Sequence, residues 1–254
     1  MCAHCGCDDT AAHHHHRHEH DHRHDEDAVR EESRTLRIEE DLLAKNNALA
    51  EQNRDYFRRR SIAAFNFVSS PGSGKTTLIE KTLRLLSRRV PIAAIEGDQE
   101  TERDAARLRA AGCPVVQINT GAVCHLDAHM VHHGLEELEP PDHSLLIIEN
   151  VGNLVCPALF DLGERSRVVI LSVTEGEDKP LKYPHMFRSS HTLVLSKVDL
   201  LPHVEFDVDA CVSYARQVNP RLRIFALSAT KGIGMDAWCD WLGSQAHLAP
   251  AQAP

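Results

Sequence analysis

The run Phe65-Asn66-Phe67-Val68-Ser69-Ser70-Pro71-Gly72-Ser73-Gly74-Lys75-Thr76-Thr77-Leu78-Ile79 decides the fold. It reads as the end of an apolar strand, a glycine-rich turn and the opening of a helix, which is the context in which Gly-x-Gly-Lys-Thr cradles phosphate. Gly72, Ser73 and Gly74 allow backbone N–H groups to curl around phosphate oxygens, and the helix N-terminus adds the positive end of its dipole. Lys75 supplies a point charge for the β- and γ-phosphates, Thr76 a hydroxyl for Mg2+, and Thr77 closes the loop. Ser69 stands where the strict phosphate-loop pattern has its first glycine.

Outward from this loop, short apolar runs alternate with helical stretches, the mark of a mostly parallel sheet wrapped by helices. About seven strands are predicted: 62–68, 91–96, 114–119, 144–149, 167–173, 191–196 and 223–228. Helices are predicted over 75–87, 102–111, 126–138, 208–218 and 235–242. The expected fold class is therefore α/β, a P-loop NTPase domain over residues 61–245 followed by a flexible Ala/Pro-rich tail, 246–254.

A nucleoside triphosphate site also needs an acid at the end of a second strand to organise Mg2+, directly or through water. Asp98, in Glu96-Gly97-Asp98-Gln99, and Glu149, in Glu149-Asn150-Val151-Gly152, are the two candidates. The base is legible as well. Ser196-Lys197-Val198-Asp199 is close to the guanine signature Asn-Lys-x-Asp, in which the aspartate accepts from guanine N1–H and N2–H2, while Lys197 covers the ring. Ser228 and Ala229 follow the last strand, where such enzymes place a backbone contact to guanine O6. GTP is thus favoured over ATP.

Ahead of the domain, residues 31–60 are helix formers, with Leu42, Leu49 and Tyr56 recurring every seven positions beside Leu36, Leu43, Ala50 and Phe57. They predict an amphipathic helix ending at the basic cluster Arg58, Arg59, Arg60. Residues 1–30 are of another kind. The chain holds 18 histidines, and His13, His14, His15, His16, His18, His20, His22 and His24 crowd a segment with no aliphatic side chain larger than alanine between Ala12 and Val29. Such a segment has nothing to bury and is expected to be disordered, with imidazoles that hold divalent ions weakly.

Cys2-Ala3-His4-Cys5-Gly6-Cys7 packs three thiols into a short head with no second ligand knuckle nearby. Three thiolates with one nitrogen suit a square-planar nickel or copper site. Cys124-His125 and, further on, Cys156 are a second group, open at this point to two readings: zinc or nickel ligands, or packed thiols. Cys113, Cys211 and Cys239 read as packing residues, and His132 and His133 as a solvated helix edge.

The formal charge of -9, from 28 Lys and Arg against 37 Asp and Glu, argues against nonspecific nucleic-acid binding. Apolar runs such as Leu145 to Ile148 fall far short of a membrane span, and no basic-then-apolar leader opens the chain, so the cytoplasm is expected.

Together with Thr120-Gly121-x-x-Cys124-His125-Leu126-Asp127, Asn153-Leu154-Val155-Cys156-Pro157 and Ser172-Val173-Thr174-Glu175-Gly176-Glu177-Asp178-Lys179-Pro180, these motifs resemble the hydrogenase nickel-incorporation (maturation) GTPases of the HypB type, within the P-loop metallochaperone GTPases. The resemblance implies a fold akin to the signal-recognition-particle GTPases and a tight nickel site at Cys2, Cys5 and Cys7. It implies a weaker nickel or zinc site at Cys124, His125 and Cys156, shared across a homodimer that forms on GTP binding, and nickel storage by the histidine tract. Implied partners are a zinc/nickel maturation chaperone and the large-subunit precursor of a [NiFe]-hydrogenase, with GTP hydrolysis coupled to nickel delivery. The alternatives are a urease-type nickel GTPase and a nickel store with a secondary nucleotide site.

Overall fold

The computed structural model describes residues 21–99 and 102–246. The head Cys2, Cys5, Cys7 and histidines 13–20 lie outside them. The elements run α1 (Asp21–Arg60), β1 (Ala63–Ser69), α2 (Lys75–Leu86), β2 (Ile92–Asp98), α3 (Arg103–Ala110), β3 (Val115–Asn119), α4 (Ala128–Leu138) and β4 (Leu145–Gly152), then β5 (Ser166–Ser172), α5 (Lys179–Lys182), α6 (Pro184–Ser189), β6 (Thr192–Ser196), α7 (Val208–Val218), β7 (Arg223–Ala226) and α8 (Met235–Gln245).

The strands form one seven-stranded sheet in the order β3-β2-β4-β1-β5-β6-β7, and every neighbouring pair is parallel. Because helices cover both faces, the central strands are apolar on both sides, and Phe65, Phe67, Leu145 to Ile148 and Val168 to Leu171 are all buried. Beneath one face pack Leu78, Leu83 and Leu86 of α2, Leu108 of α3 and Trp238 and Leu242 of α8. The other face is covered by Phe57 of α1 with Val131 and Leu135 of α4, and by Met186 and Phe187 of α6 with Cys211 and Ala215 of α7. Trp238 is fixed twice: its indole N–H donates to Thr82 Oγ1 at 2.9 Å, and its ring stands edge-on to Phe67 at 6.0 Å. Trp241, one turn on, meets Phe65 at 5.7 Å.

Helix α1 differs from expectation in two ways. It starts at Asp21 rather than 31, so residues 21–30, expected to be disordered, are helical and His22 and His24 fall on its first turn. No glycine or proline interrupts the chain from Asp21 to Arg60, so nothing within that stretch stops the helix. The buried seam of its C-terminal part is Asn46, Ala50, Asn53 and Phe57, whereas Leu42 is 57% exposed.

The asparagines are buried because they satisfy backbone groups of two loops. Asn46 Nδ2 donates to Asp161 O at 2.8 Å and its Oδ1 accepts from Ala128 N at 2.9 Å. Asn53 Nδ2 donates to Ala128 O at 2.9 Å and Leu162 O at 3.2 Å. Arg54 grips Asp161 through both carboxylate oxygens, at 3.0 and 2.7 Å. Although burial opposes charge on Asp161, that guanidinium and the Gly163 N–H hold its carboxyl below its ordinary value. Gly163 itself has φ 85°, and a Cβ there would sit 2.4 Å from Ala50 O, so no other residue fits against the helix.

Replacing Asn53 with alanine removes the buried hydrogen bonds to Ala128 O and Leu162 O. A loss of about 2–3 kcal/mol is expected, or a melting temperature lower by about 5–10 °C for a domain of this size. Thermal melts followed by far-UV circular dichroism check this, and an unchanged melting temperature would show that the asparagine seam does not hold the helix.

Candidate functional site

The C-terminal ends of β1, β2, β4 and β6 open on one side of the sheet, where ligands of open α/β folds bind. There they form a cavity of about 600 Å³ lined by residues 69–77, Glu96 to Gln99, Asp104, Arg107, Asn150 to Gly152 and Lys197. Gly72 and Gly74 have φ 75° and 92°, the left-handed backbone that lets the loop curl back on itself.

Lys75 Nζ, at the first position of α2, lies 2.7 Å from Glu149 Oε1, in a pair whose side chains are 11% and 1% exposed. Thr76 Oγ1 lies 2.6 Å from the same carboxylate oxygen and 2.9 Å from Asp104 Oδ2. One hydroxyl proton cannot serve both acids. Three oxygens converge, Lys75 faces Glu149 and Arg107 Nη1 lies 3.3 Å from Asp104 Oδ1, and Glu149 Oε2 is buried without a partner. Hard oxygen donors of this kind suit Mg2+.

Asp98 lines the cavity from the end of β2. Asp104 was not expected from the sequence; the available signal was an acid in the first turn of the helix that follows that strand. Glu96 is buried beneath the cavity, and desolvation, reinforced by the charges of Glu149 and Asp98, pushes its carboxyl up to about 8.

On the base side, Lys197 has φ 59°, a left-handed conformation rare outside glycine and typical of functional sites. Its Nζ reaches Gly72 O at 2.7 Å. Ser196 Oγ donates to Ser73 O at 2.6 Å, tying this segment to the phosphate loop. Val198 N donates to Leu227 O at 3.2 Å, which sets the Lys197-to-Asp199 segment beside buried Ser228 and half-buried Ala229. Asp199 Oδ1 is buried with no hydrogen-bond partner, an acceptor awaiting a donor.

Cys124, His125 and Cys156 come together, with one ligand atom from each lying within 4.8 Å of the others. Cys124 precedes α4 on a loop that closes when Thr120 Oγ1 donates to Val123 O at 2.7 Å. Cys156 opens a short 3-10 turn, Cys156–Ala158, beyond β4. The two sulfurs are 2.9 Å apart, too far for a disulfide, and both thiols are free.

The neighbouring Cys156 sulfur, and then burial, push the Cys124 thiol above its ordinary value. Burial pushes His125 below its own, so the imidazole is neutral, and its Nδ1 is buried without a partner while the ring stacks on Phe160 at 4.0 Å. Two close sulfurs and an unsatisfied neutral imidazole are a donor set for a borderline cation such as zinc or nickel. Val123, Val155 and Leu159 around it are exposed.

Asn150 joins the two sites, and the sequence reading missed it. It lines the nucleotide cavity beside Glu149, its Oδ1 accepts from Leu126 N at 3.0 Å, next to His125, and its Nδ2 donates to Asn66 Oδ1 on β1 at 3.2 Å. Asn153 Nδ2 donates to Cys124 O at 3.4 Å. The segment that faces Lys75 and Thr76 therefore leads directly to Cys156 and also grips the loop of Cys124.

Residues 63–226 match the family described as CobW/HypB/UreG, nucleotide-binding domain. The chain is 59% identical over 214 residues to the hydrogenase maturation factor HypB of Azotobacter vinelandii, covering 84% of this chain and 71% of that one. It is 58% identical over 212 residues to that of Escherichia coli strain K12, covering 84% and 73%. Among solved structures, HypB from Archaeoglobus fulgidus superposes with a TM-score of 0.75 at 43% identity, covering 80% of this chain and 99% of that one. HypB from Helicobacter pylori in complex with nickel gives 0.76 at 36% identity, covering 83% and 99%. Among the described residues no helix is long and apolar enough to cross a membrane.

Proposed function

The chain belongs to the CobW/HypB/UreG nucleotide-binding family, and from that premise we propose that it hydrolyses GTP to GDP and phosphate and couples this step to the delivery of nickel for hydrogenase maturation. The continuous path from the Lys75–Glu149 pair through Asn150 to Cys156 and the Cys124 loop carries this reading. The relatives' name, hydrogenase maturation factor, and the nickel in the Helicobacter pylori structure supply the cargo and the destination.

In this mechanism residues 72–77 hold the phosphates, Lys75 leaves Glu149 for the β- and γ-oxygens, and Asp199 accepts from guanine N1–H and N2–H2 while Lys197 covers the ring. Adenine offers no such donor pair to Asp199 Oδ1. Mg2+, when bound by Thr76 with Glu149, Asp98 or Asp104, supplies charge neutralisation at the phosphates. With no evident general base, turnover rests on positioning and is slow.

Cys124, His125 and Cys156 hold nickel, or zinc in its place, and the exposed Val123, Val155 and Leu159 suit burial against a second copy of the chain. Cys2, Cys5 and Cys7 form a tighter nickel site, and the histidine tract a reserve. The reduced thiols that these sites need suit the cytoplasm, where a maturation chaperone and a hydrogenase large-subunit precursor would receive the ion.

The test is nickel affinity at the inner cluster, measured by competition with a chromophoric chelator, for the full chain with Cys2, Cys5 and Cys7 replaced by serine, with GDP and with a nonhydrolysable GTP analogue. Affinities differing by a factor of about 5 or more are expected from a typical coupling energy. Equal affinities in both states would overturn the coupling.

A further inference from the structure

Beyond Cys156 the chain is held by a buried charged pair that belongs neither to the nucleotide cavity nor to the metal ligands. Glu164 precedes β5, Arg167 is the second residue of that strand, and their side chains are 5% and 6% exposed. Every N–H of the Arg167 guanidinium has an acceptor. Nε and Nη2 reach Glu164 Oε1 at 3.2 and 3.1 Å, Nη2 also donates to Phe160 O at 2.7 Å, and Nη1 donates to Ala158 O at 3.1 Å and Ser189 Oγ at 2.8 Å. One side chain thus grips the turn that Cys156 opens.

The same pair is tied to the nucleotide cavity. Glu164 Oε1 also accepts from Asn66 Nδ2 at 3.2 Å, and Asn66 Oδ1 accepts from Asn150 Nδ2 at 3.2 Å. Asn66 is fully buried and lies opposite Arg167 in the register of β1 and β5. Two branches therefore leave Asn150. One ends at the Leu126 N–H, beside His125; the other runs through Asn66, Glu164 and Arg167 to Phe160, whose ring stacks on His125 at 4.0 Å with the planes inclined at 30°. The imidazole closes the circuit. An ion pair withdrawn from water often stabilises a fold no more than apolar residues of the same size would, so its placement here points to positioning.

We propose that Phe160, held by Arg167, is a positioning residue for His125, and that Asn66, Glu164 and Arg167 pass the nucleotide state from Asn150 to that ring. The inference rests on the coupling of GTP hydrolysis to nickel binding proposed above. When Lys75 leaves Glu149 for the phosphates, Asn150, the next residue of β4, shifts against both Asn66 and Leu126. The chain from Asn150 to Cys156 sets a sulfur; the Phe160 ring sets the imidazole. Lysine cannot stand in for Arg167, because three donors on a flexible stem lack the planar fork that spans a carboxylate and two carbonyls.

The experiment measures nickel affinity by chelator competition, with GDP and with a nonhydrolysable GTP analogue, in the full chain with Cys2, Cys5 and Cys7 replaced by serine. Phe160→Leu, Phe160→Tyr and Arg167→Lys are each compared with this parent. The parent's ratio of about 5 or more between the two nucleotide states is expected to fall to about 2 or below in Phe160→Leu and Arg167→Lys, and to persist in Phe160→Tyr, which keeps a ring against the imidazole. The thiolate-to-nickel absorption band remains in all three, since both sulfurs are untouched. Phe160 is half-buried, so Phe160→Leu leaves the core intact and carries the test even where Arg167→Lys does not fold. A parent ratio that survives in Phe160→Leu overturns this inference alone, as does a band lost in that variant. A parent ratio near one overturns the coupling itself, and this inference with it.

Discussion

Lys75→Ala is expected to reduce GTP turnover by at least about 100-fold, the scale set by removing one preorganised charge donor from a transition state. In the structure Lys75 neutralises Glu149, whose side chain is 1% exposed. The variant thus strands a buried carboxylate as well as depriving the phosphates of their cation. The cavity of the variant thereby loses the partner exchange proposed for hydrolysis. Phosphate release under single-turnover conditions measures the effect, and circular dichroism confirms the fold. Turnover within a few-fold of wild type would mean that this loop does not act on the γ-phosphate and would favour the reading as a metal store with a secondary nucleotide site.

The second large effect is expected at the sulfur cluster. Cys124→Ser and Cys156→Ser each replace a thiolate with a hydroxyl that is a poor ligand for a borderline ion, and a lost ligand costs more than the 10- to 100-fold associated with its supporting shell. Nickel affinity at this site should fall by more than about 100-fold. Titrations belong in the full chain with Cys2, Cys5 and Cys7 replaced by serine, so that the head does not mask the loss. The thiolate-to-metal absorption band should vanish with the affinity. A retained band in Cys156→Ser would show that the ion is held by other sulfurs, and the proposed link from nucleotide to metal would lose its end point.

The parts of this molecule visible in the sequence are those in which neighbouring residues do one job. The strand, loop and helix from Phe65 to Ile79 announced themselves, and every strand followed from its apolar run, because a parallel sheet covered on both faces leaves no alternation to misread. Glu149 was found as an acid near a strand end, although β4 continues through it to Gly152. Asp104 was not found, because its role exists only where α3 meets Thr76 across the cavity. Asn150 escaped for the same reason: an asparagine carries no chemistry of its own until it is placed between Asn66 and Leu126.

The seam of α1 was misjudged in a different way. A search for apolar repeats passes over asparagine, yet Asn46 and Asn53 are what the buried carbonyls and amides of two loops require. The start of α1 was set too late because residues 21–30 were judged by what they could bury, whereas their composition lets the helix of residues 31–60 continue through them.

The indoles supply a spectroscopic consequence. The chain has two tryptophans, and both sit on α8, one bonded to the helix that begins at the phosphate loop, the other against the strand that ends there. All of the protein's tryptophan emission therefore originates on the side of the sheet where α2 and α8 pack. Its colour and intensity during denaturation record the melting of the central scaffold, so metal held by the folded chain should register as a raised midpoint of the fluorescence melt.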